Sequence, residues 1–366
     1  MRYWLIVLQC FSLSFLSACS SSSSDPEVQS SDRKPQLKVW ADELLRPSYS
    51  QITAGAEEFS IKSSALCLTK TADKLSDLKQ SWLALTQSHA RVEFYQLGPF
   101  TEFSEEFNFW PARPASIDRY IAAKDFTAPT LLSGSVLIKS FSAVEYLLYS
   151  KLEEEFLQDL KQTDLCEYLI NWSSYLLESS RELEAQWSPE AGLYYQAFVD
   201  AGSNMSEFSR QKIPFDIMVN AITQGLQTVE RRKLNQALTP KTDGSLRLRE
   251  VESPYGSYSL ALIRANIEGL GLALFGKTAD EPLKEGLYTV VRDQSPEIAQ
   301  DIKDRFSDIQ GKLDDIEGNS LALVLQTKPE ELRDLASKVN ELLELMATDV
   351  ASLLNVTINF SDNDGD

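Results

Sequence analysis

Apolar residues recur at steps of three and four along almost the whole chain, the spacing of one buried face of an α-helix. The repeat predicts helices over Tyr49–Thr69, Ala72–Leu97, Ile117–Phe126, Leu131–Ser150, Asp164–Trp187, Ser206–Leu238, Ser259–Phe275, Pro296–Glu317 and Pro329–Leu354. Gly-Pro, Pro-Ala-Arg-Pro, Thr-Pro and Asp-Gly turns punctuate them, and sustained strand alternation is absent. The pattern therefore predicts an all-α protein. Helices of this length joined by short and medium loops bury their apolar faces in bundles. Their number suits two helical bundles packed side by side, residues 37–188 and 189–366. Pro214, lacking an N–H and crowding the preceding turn, predicts a kink or a broken start within 206–238.

The first 36 residues follow a different pattern. Arg2 precedes an apolar run, Leu5 to Leu16, that is too short to be a permanent membrane span. Leu16-Ser17-Ala18-Cys19 reads as a lipobox, so residues 1–18 are expected to be a lipoprotein signal peptide and Cys19 a lipidated N-terminus. Ser20, in place of Asp, resembles the sorting pattern of outer-membrane lipoproteins of Gram-negative bacteria. Residues 19–36 are rich in Ser, Asp and Pro and read as a flexible tether reaching roughly 20 Å. The expectation is a lipid-anchored outer-membrane protein, periplasmic or surface-facing, with no other membrane-crossing segment.

Composition narrows the partners. With 43% apolar and 24% charged residues the remainder is a globular protein, long enough for two cores. A formal charge of −19 argues against nucleic acid or anionic lipid as a partner. It serves either solubility or the attraction of cations. Of four cysteines, Cys67 and Cys166 remain in an oxidising compartment once Cys10 leaves with the signal and Cys19 takes lipid. Whether they bridge depends on whether their helices are neighbours.

Candidate chemistry concentrates in Ser133 to Ser150. Leu137, Phe141, Val144 and Leu148 form one helical stripe, and Ile138, Ser142, Glu145 and Tyr149 the next. Ser142 and Glu145 meet on one side of the helix. A carboxylate in such apolar company needs a partner, since burying it unpaired costs several kcal/mol or forces protonation. Ser-x-x-Glu is also a capping box, but the apolar period continues upstream to Leu131, which argues against a helix start at Ser142.

The same residues carry a family resemblance. Ser140 to Glu145, followed by Tyr146-Leu147-Leu148-Tyr149-Ser150, resembles the GxHxxE helix of the imelysin-like proteins, with Ser140 in place of the glycine and Ser142 in place of the histidine. Trp82 with Arg91 and Leu97 to Phe100 resembles that family's W…R…GP segment, and Asn108 to Arg113 its FWP loop. Val219-Asn220-Ala221 with Gly225-Leu226 and the run Glu230 to Lys233 resembles a second-domain segment. Tyr258 to Glu268 resembles SL..I..NLE, and Asn359 to Asp366 the family's ending. The resemblance implies two helical bundles with a site where they meet, an envelope location, links to iron uptake, and a family first described as an insulin-cleaving metallopeptidase.

The residues test those implications. A hydrolytic metal site needs several good ligands and an open position. The chain has one histidine, His89, no HExxH, and a serine hydroxyl at 142 that is a poor transition-metal ligand. His89 is expected to be a surface or hydrogen-bonded helix residue. No GxSxG elbow, phosphate loop or dinucleotide fingerprint occurs. The tail Asp362 to Asp366 resembles part of a calcium loop but lacks its first acid and closing glutamate, and is expected to be a solvated terminus.

Glu145 is expected either to face an interdomain pocket, paired with Arg91, or to tie helices together through a buried ion pair. The pocket reading gathers Arg91, Gln96, Arg113, Ser142, Glu145 and Asn266 around a small polar ligand or a divalent or iron cation. Trp110 is expected as a core plug or a lid, and Ser259 and Asn266 as supports of helix start and packing. Three functions follow: a non-catalytic binding lipoprotein accessory to iron acquisition, a metal-dependent peptidase, or a structural lipoprotein recruiting an envelope partner.

Overall fold

Helix follows helix from the first described residues to the last. The computed structural model describes residues 32–123, 134–277, 281–283 and 286–359. The signal, Cys19 and the acidic tail lie outside them. The chain enters the fold at α1, Lys34–Val39, inside the last residues expected as tether, and Gln36 and Leu37 are buried. A π-helical turn, Trp40–Leu45, carries it into α2, Arg46–Thr69. Next come α3, Ala72–Ala90, α4, Pro99–Phe107, and α5, Pro114–Ala123. Within its described residues the predicted 131–150 helix is two pieces, α6, Val136–Lys139, and α7, Phe141–Tyr149, while 131–133 lie outside them. α8, Glu153–Gln162, α9, Leu165–Gln186, and α10, Leu193–Val199, follow.

Downstream, α11, Lys212–Gln227, runs into a second π-helical turn, Thr228–Asn235, and the short α12, Gln236–Leu238. Pro214 sits in the first turn of α11, where its missing N–H is tolerated, so the segment starts late and does not kink. α13, Ser259–Phe275, α14, Leu287–Arg292, α15, Pro296–Asp315, and α16, Leu321–Thr327, precede α17, Pro329–Leu345, which ends through Met346–Val350 and α18, Ala351–Leu354. No strand occurs among the described residues, and no described helix is long and apolar enough to cross a membrane.

From Arg33 onward the chain forms one compact unit. α2 lies between α3 and α9, and α17 packs on α15 and on the Thr228–Asn235 turn. α13 joins the earlier and later helices. It crosses α3, and Trp40 Nε1 donates to its Ala273 carbonyl at 2.8 Å. The crossing is set by a missing side chain. A Cβ on Gly269 would stand 1.8 Å from the Arg91 carbonyl oxygen, which is backbone and cannot swing aside. The Gly269 carbonyl in turn accepts from Tyr95 Oη at 3.1 Å. Gly269→Ala is therefore expected to push α13 off the end of α3 and cost about 2–3 kcal/mol, although alanine is the better helix former. A urea midpoint equal to or above the parent's would show that the helices separate freely.

Cys67 and Cys166 form a disulfide, with Cα atoms 5.5 Å apart, because α2 and α9 are neighbours.

Candidate functional site

The break between α6 and α7 falls at Ser140, whose backbone is extended (φ −69°, ψ 155°) and whose Oγ accepts from the Ala143 N–H at 3.3 Å. Ser140 is thus the N-cap of α7, two residues before the Ser-x-x-Glu box. The sequence pattern hides this because the apolar stripe stays in phase across one extended residue. Capping at Ser140 places Ser142 and Glu145 in the first turns of α7, both buried.

Glu145 is 1% exposed and its partner is not an arginine. Its Oε1 accepts from Ser253 Oγ at 3.1 Å, the Tyr255 N–H at 2.7 Å and the Gly256 N–H at 2.6 Å. Ser253 and Ser257, with φ of 51° and 60°, turn the loop left-handed and bring its N–H groups round to the carboxylate. The expected Arg91 pairing is corrected: Arg91 reaches Glu268 at 2.8 Å and Gln51 at 3.2 Å on the partly exposed flank of α3. A loop of backbone donors does what a guanidinium was expected to do, without bringing in another charge.

Burial pushes the Glu145 pKa from an ordinary 4.5 up to about 7, against the opposing pull of the Gly256, Tyr255 and Ser253 hydrogen bonds. The folded state therefore holds the proton more tightly than the unfolded chain, and stability contributed by this group is full below about pH 4.5 and lost by about pH 7. Relative to Glu145→Gln, which keeps an accepting oxygen for the loop, the parent is expected to lose roughly 3 kcal/mol between pH 4 and pH 8. Urea melts of both proteins at the two pH values check this. A parent-to-variant difference independent of pH would mean that the carboxylate stays ionised.

A cavity of about 30 Å³ adjoins Glu145. Ser142, Trp82, His89, Trp110, Glu252 and Ser253 are among its walls, so it draws on residues from both halves of the chain. Ser142 Oγ donates to the Phe109 carbonyl at 2.7 Å and contacts Ser140 Oγ at 3.0 Å. Trp110 is buried, with the Arg232 guanidinium 4.1 Å above its ring, a core plug that also walls the cavity. Ser259 Oγ donates to the Glu252 carbonyl and so braces the loop, while Ser259 is itself the first residue of α13.

His89 departs from expectation. It is 2% exposed, packed against Phe100, Phe103 and Phe141, and lines the cavity. Burial drives its pKa down to about 4, with Glu93 opposing and Lys233 adding to the fall, so the imidazole is neutral near pH 7. Trp82, Leu85, Thr86 and His89 recur at helical spacing on α3, and that stripe was the signal that placed it inward.

Behind the cavity lies a charge cluster the sequence reading missed. Lys233 is flanked by Glu93 Oε1, by Glu252 Oε2 at 2.8 Å and by Asn266 Oδ1 at 2.7 Å, with every ionic side chain under one-tenth exposed. Burial pushes the Lys233 pKa down, but Glu252 and Glu93 more than offset it and hold the ammonium charged. Burial raises Glu252 to about 7, since one ammonium cannot fully serve two carboxylates and Glu93 repels. Asn266 Nδ2 donates to the Ala90 carbonyl at 2.7 Å and to Glu93 Oε1 at 3.0 Å, the packing role expected of it.

Ser142 and Glu145 are thus at the cavity, and Asn266 is in the cluster behind it. Gln96 is elsewhere: its Nε2 donates to the Glu93 carbonyl at 2.5 Å and to Ser104 Oγ at 3.0 Å, and it lines a separate cavity of about 330 Å³. Arg113 is exposed and is not among the cavity walls. Among the described residues no three His, Cys, Asp or Glu side chains are grouped to hold a metal ion. Ser142, whose hydroxyl proton is committed to Phe109, does not fit as a ligand beside Glu145.

Fold and site together define an all-α protein built around a buried carboxylate that a backbone loop holds against a small cavity with mostly apolar and aromatic walls. Residues 45–348 match the model of the imelysin family, peptidase M75, and the chain belongs to that family. It is similar to iron-regulated protein A of Synechococcus elongatus, 24% identical over 276 residues that make up 74% of this chain and 72% of that one. In fold it resembles the crystal structure of an imelysin-like protein from Psychrobacter arcticum 273-4, with TM-score 0.70 and 18% identity over 90% of this chain and 97% of that one. A precursor from Parabacteroides distasonis ATCC 8503 named after iron-regulated protein A gives TM-score 0.66 and 15% identity, over 88% and 97% of the two chains.

Proposed function

We propose that this protein is a non-catalytic binding member of the imelysin family, anchored in the cell envelope through Cys19 and accessory to iron acquisition, with the Glu145 cavity as its ligand site. The observation that carries the reading is the arrangement around Glu145. One carboxylate oxygen is committed to the 253–256 loop, the motif position 142 donates a hydroxyl to backbone, and among the described residues no three His, Cys, Asp or Glu side chains are grouped to hold a metal ion. Hydrolysis on a metal needs a polarising ion held by several ligands and room for a scissile bond beside it. A cavity of about 30 Å³ leaves no such room for a peptide.

The Cys67–Cys166 bridge supports export, because such bridges persist in oxidising compartments. The link to iron is supported by the name of the relative from Synechococcus elongatus. In use, a ligand would exchange its hydration for the few polar groups among the cavity's aromatic walls, and the 253–256 loop that Glu145 latches is the wall best able to admit it, being irregular backbone between helices.

The test is a purified mature chain assayed for cleavage of an unfolded protein substrate, beside growth of a deletion strain under iron limitation complemented with parent or Glu145→Ala. The expected result is no cleavage by either protein, and a growth defect that the parent restores and the variant does not. Cleavage that depends on Glu145 and on added metal would replace this reading with the peptidase one.

A further inference from the structure

The chain's one histidine has no place in the family motif, yet it lies at the motif cavity. His89 and Trp82 stand on one stripe of α3, 2% and 1% exposed, and both line that cavity. Neither His89 Nε2 nor Trp82 Nε1 has a hydrogen-bond partner. Buried polar atoms are nearly always satisfied, so two such atoms at one cavity call for a common partner. Glu145 also lines the cavity, and its Oε2 takes no part in the three hydrogen bonds to the loop.

We infer that His89 supplies from α3 the imidazole that α7 lacks, and that with Trp82 and Glu145 it holds one small uncharged molecule bearing a hydroxyl or an amide. This rests on reading the cavity as a ligand site. Trp82 Nε1–H is a donor only and requires an oxygen that accepts, which a bare cation does not offer. The neutral imidazole's Nε2 offers either an N–H or a lone pair according to its tautomer, and Glu145 Oε2 is an acceptor when ionised and an acceptor or donor when protonated. A hydroxyl or amide can both accept and donate, and so serves all three groups at once. The volume limits the occupant: about 30 Å³ takes roughly two or three non-hydrogen atoms. The surrounding charges agree. Glu252 is drawn to Lys233 on the far side, which leaves no grouping of three ligands for a metal among the described residues.

Having one histidine makes the test direct. In the mature chain labelled with 15N-histidine, the single imidazole is followed by NMR while methanol, formamide, tert-butanol, zinc and ferrous iron are added separately. Methanol and formamide are expected to shift the ring signals saturably, tert-butanol at the same concentration to leave them in place, and Trp82→Phe to weaken the response at least tenfold. The comparison of probes on the unmodified chain stands even where that variant does not fold. Saturable shifts with zinc or iron and none with methanol or formamide would overturn the ligand class and leave the binding reading intact. A response to tert-butanol equal to that with methanol would overturn the size limit and with it the inference. Ring signals indifferent to every probe would overturn the inference, and the binding reading with it if metal-dependent cleavage is also found.

Discussion

Lys233→Met is expected to destabilise the protein by about 3–5 kcal/mol, although methionine is apolar, nearly isosteric and a better guest in a buried site. The reason is what remains behind. Glu93 and Glu252 are both buried, and the Lys233 ammonium pairs with both of them. Without it, each carboxylate must stay charged in a poorly solvating interior or take up a proton. At pH 5 a raised pKa lets protonation absorb part of the loss, while at pH 8 protonation itself becomes costly. The destabilisation should therefore be larger at pH 8 than at pH 5, whereas a simple packing defect would cost the same at both. Adding Glu93→Gln and Glu252→Gln should recover much of the loss, because no unpaired charge is then buried and Asn266 and Asn108 still donate to the side chain at position 93. Urea unfolding of parent, single and triple variants at both pH values decides it. A single variant within 1 kcal/mol of the parent at pH 8 would show that water reaches the cluster freely.

That cluster also marks how far a sequence pattern reaches. The apolar period located the long helices because burying one stripe of a helix leaves a mark every three or four residues, and Trp82, Leu85, Phe275, Ile302 and Leu335 all fall inside as it requires. The period says which residues are inside. It does not say what a buried polar atom touches. Glu145 was legible as a buried acid in need of a partner, but its partners are two backbone N–H groups and a serine more than 100 residues away, and backbone donors leave no trace in residue identity. Arg91 looked suitable because it was a cation on a helix of the right family segment, yet it points along the flank of α3 to Glu268. Lys233 lay in a run of charges, Glu230 to Lys233, that reads as a solvated face. The π-helical turn brings two of its four side chains inward, Glu230 and Lys233, the latter to 2% exposure, while Arg231 stays outside. The single-residue break at Ser140 was invisible for the related reason that it leaves the stripe in register.

Removing the Cys67–Cys166 bridge by the double substitution to alanine is expected to cost about 4 kcal/mol, the other large effect in the molecule. The two cysteines are 99 residues apart, and closing a loop of that length removes much of the unfolded chain's freedom. The folded side changes little, since α2 and α9 pack along their length through Phe59 and Trp172, whose ring centres are 5.4 Å apart. The loss should therefore appear as a lower urea midpoint with unchanged helical signal at low denaturant. Both cysteines are only half-buried, so a reductant reaches them, and reduction of the parent should reproduce the variant's midpoint. The 15N response of His89 should survive in the double variant, because none of the cavity's walls belongs to α2 or α9. A midpoint unmoved by either substitution or reduction would mean that packing of α2 on α9 already orders the unfolded chain, and that the bridge adds nothing to a contact formed without it.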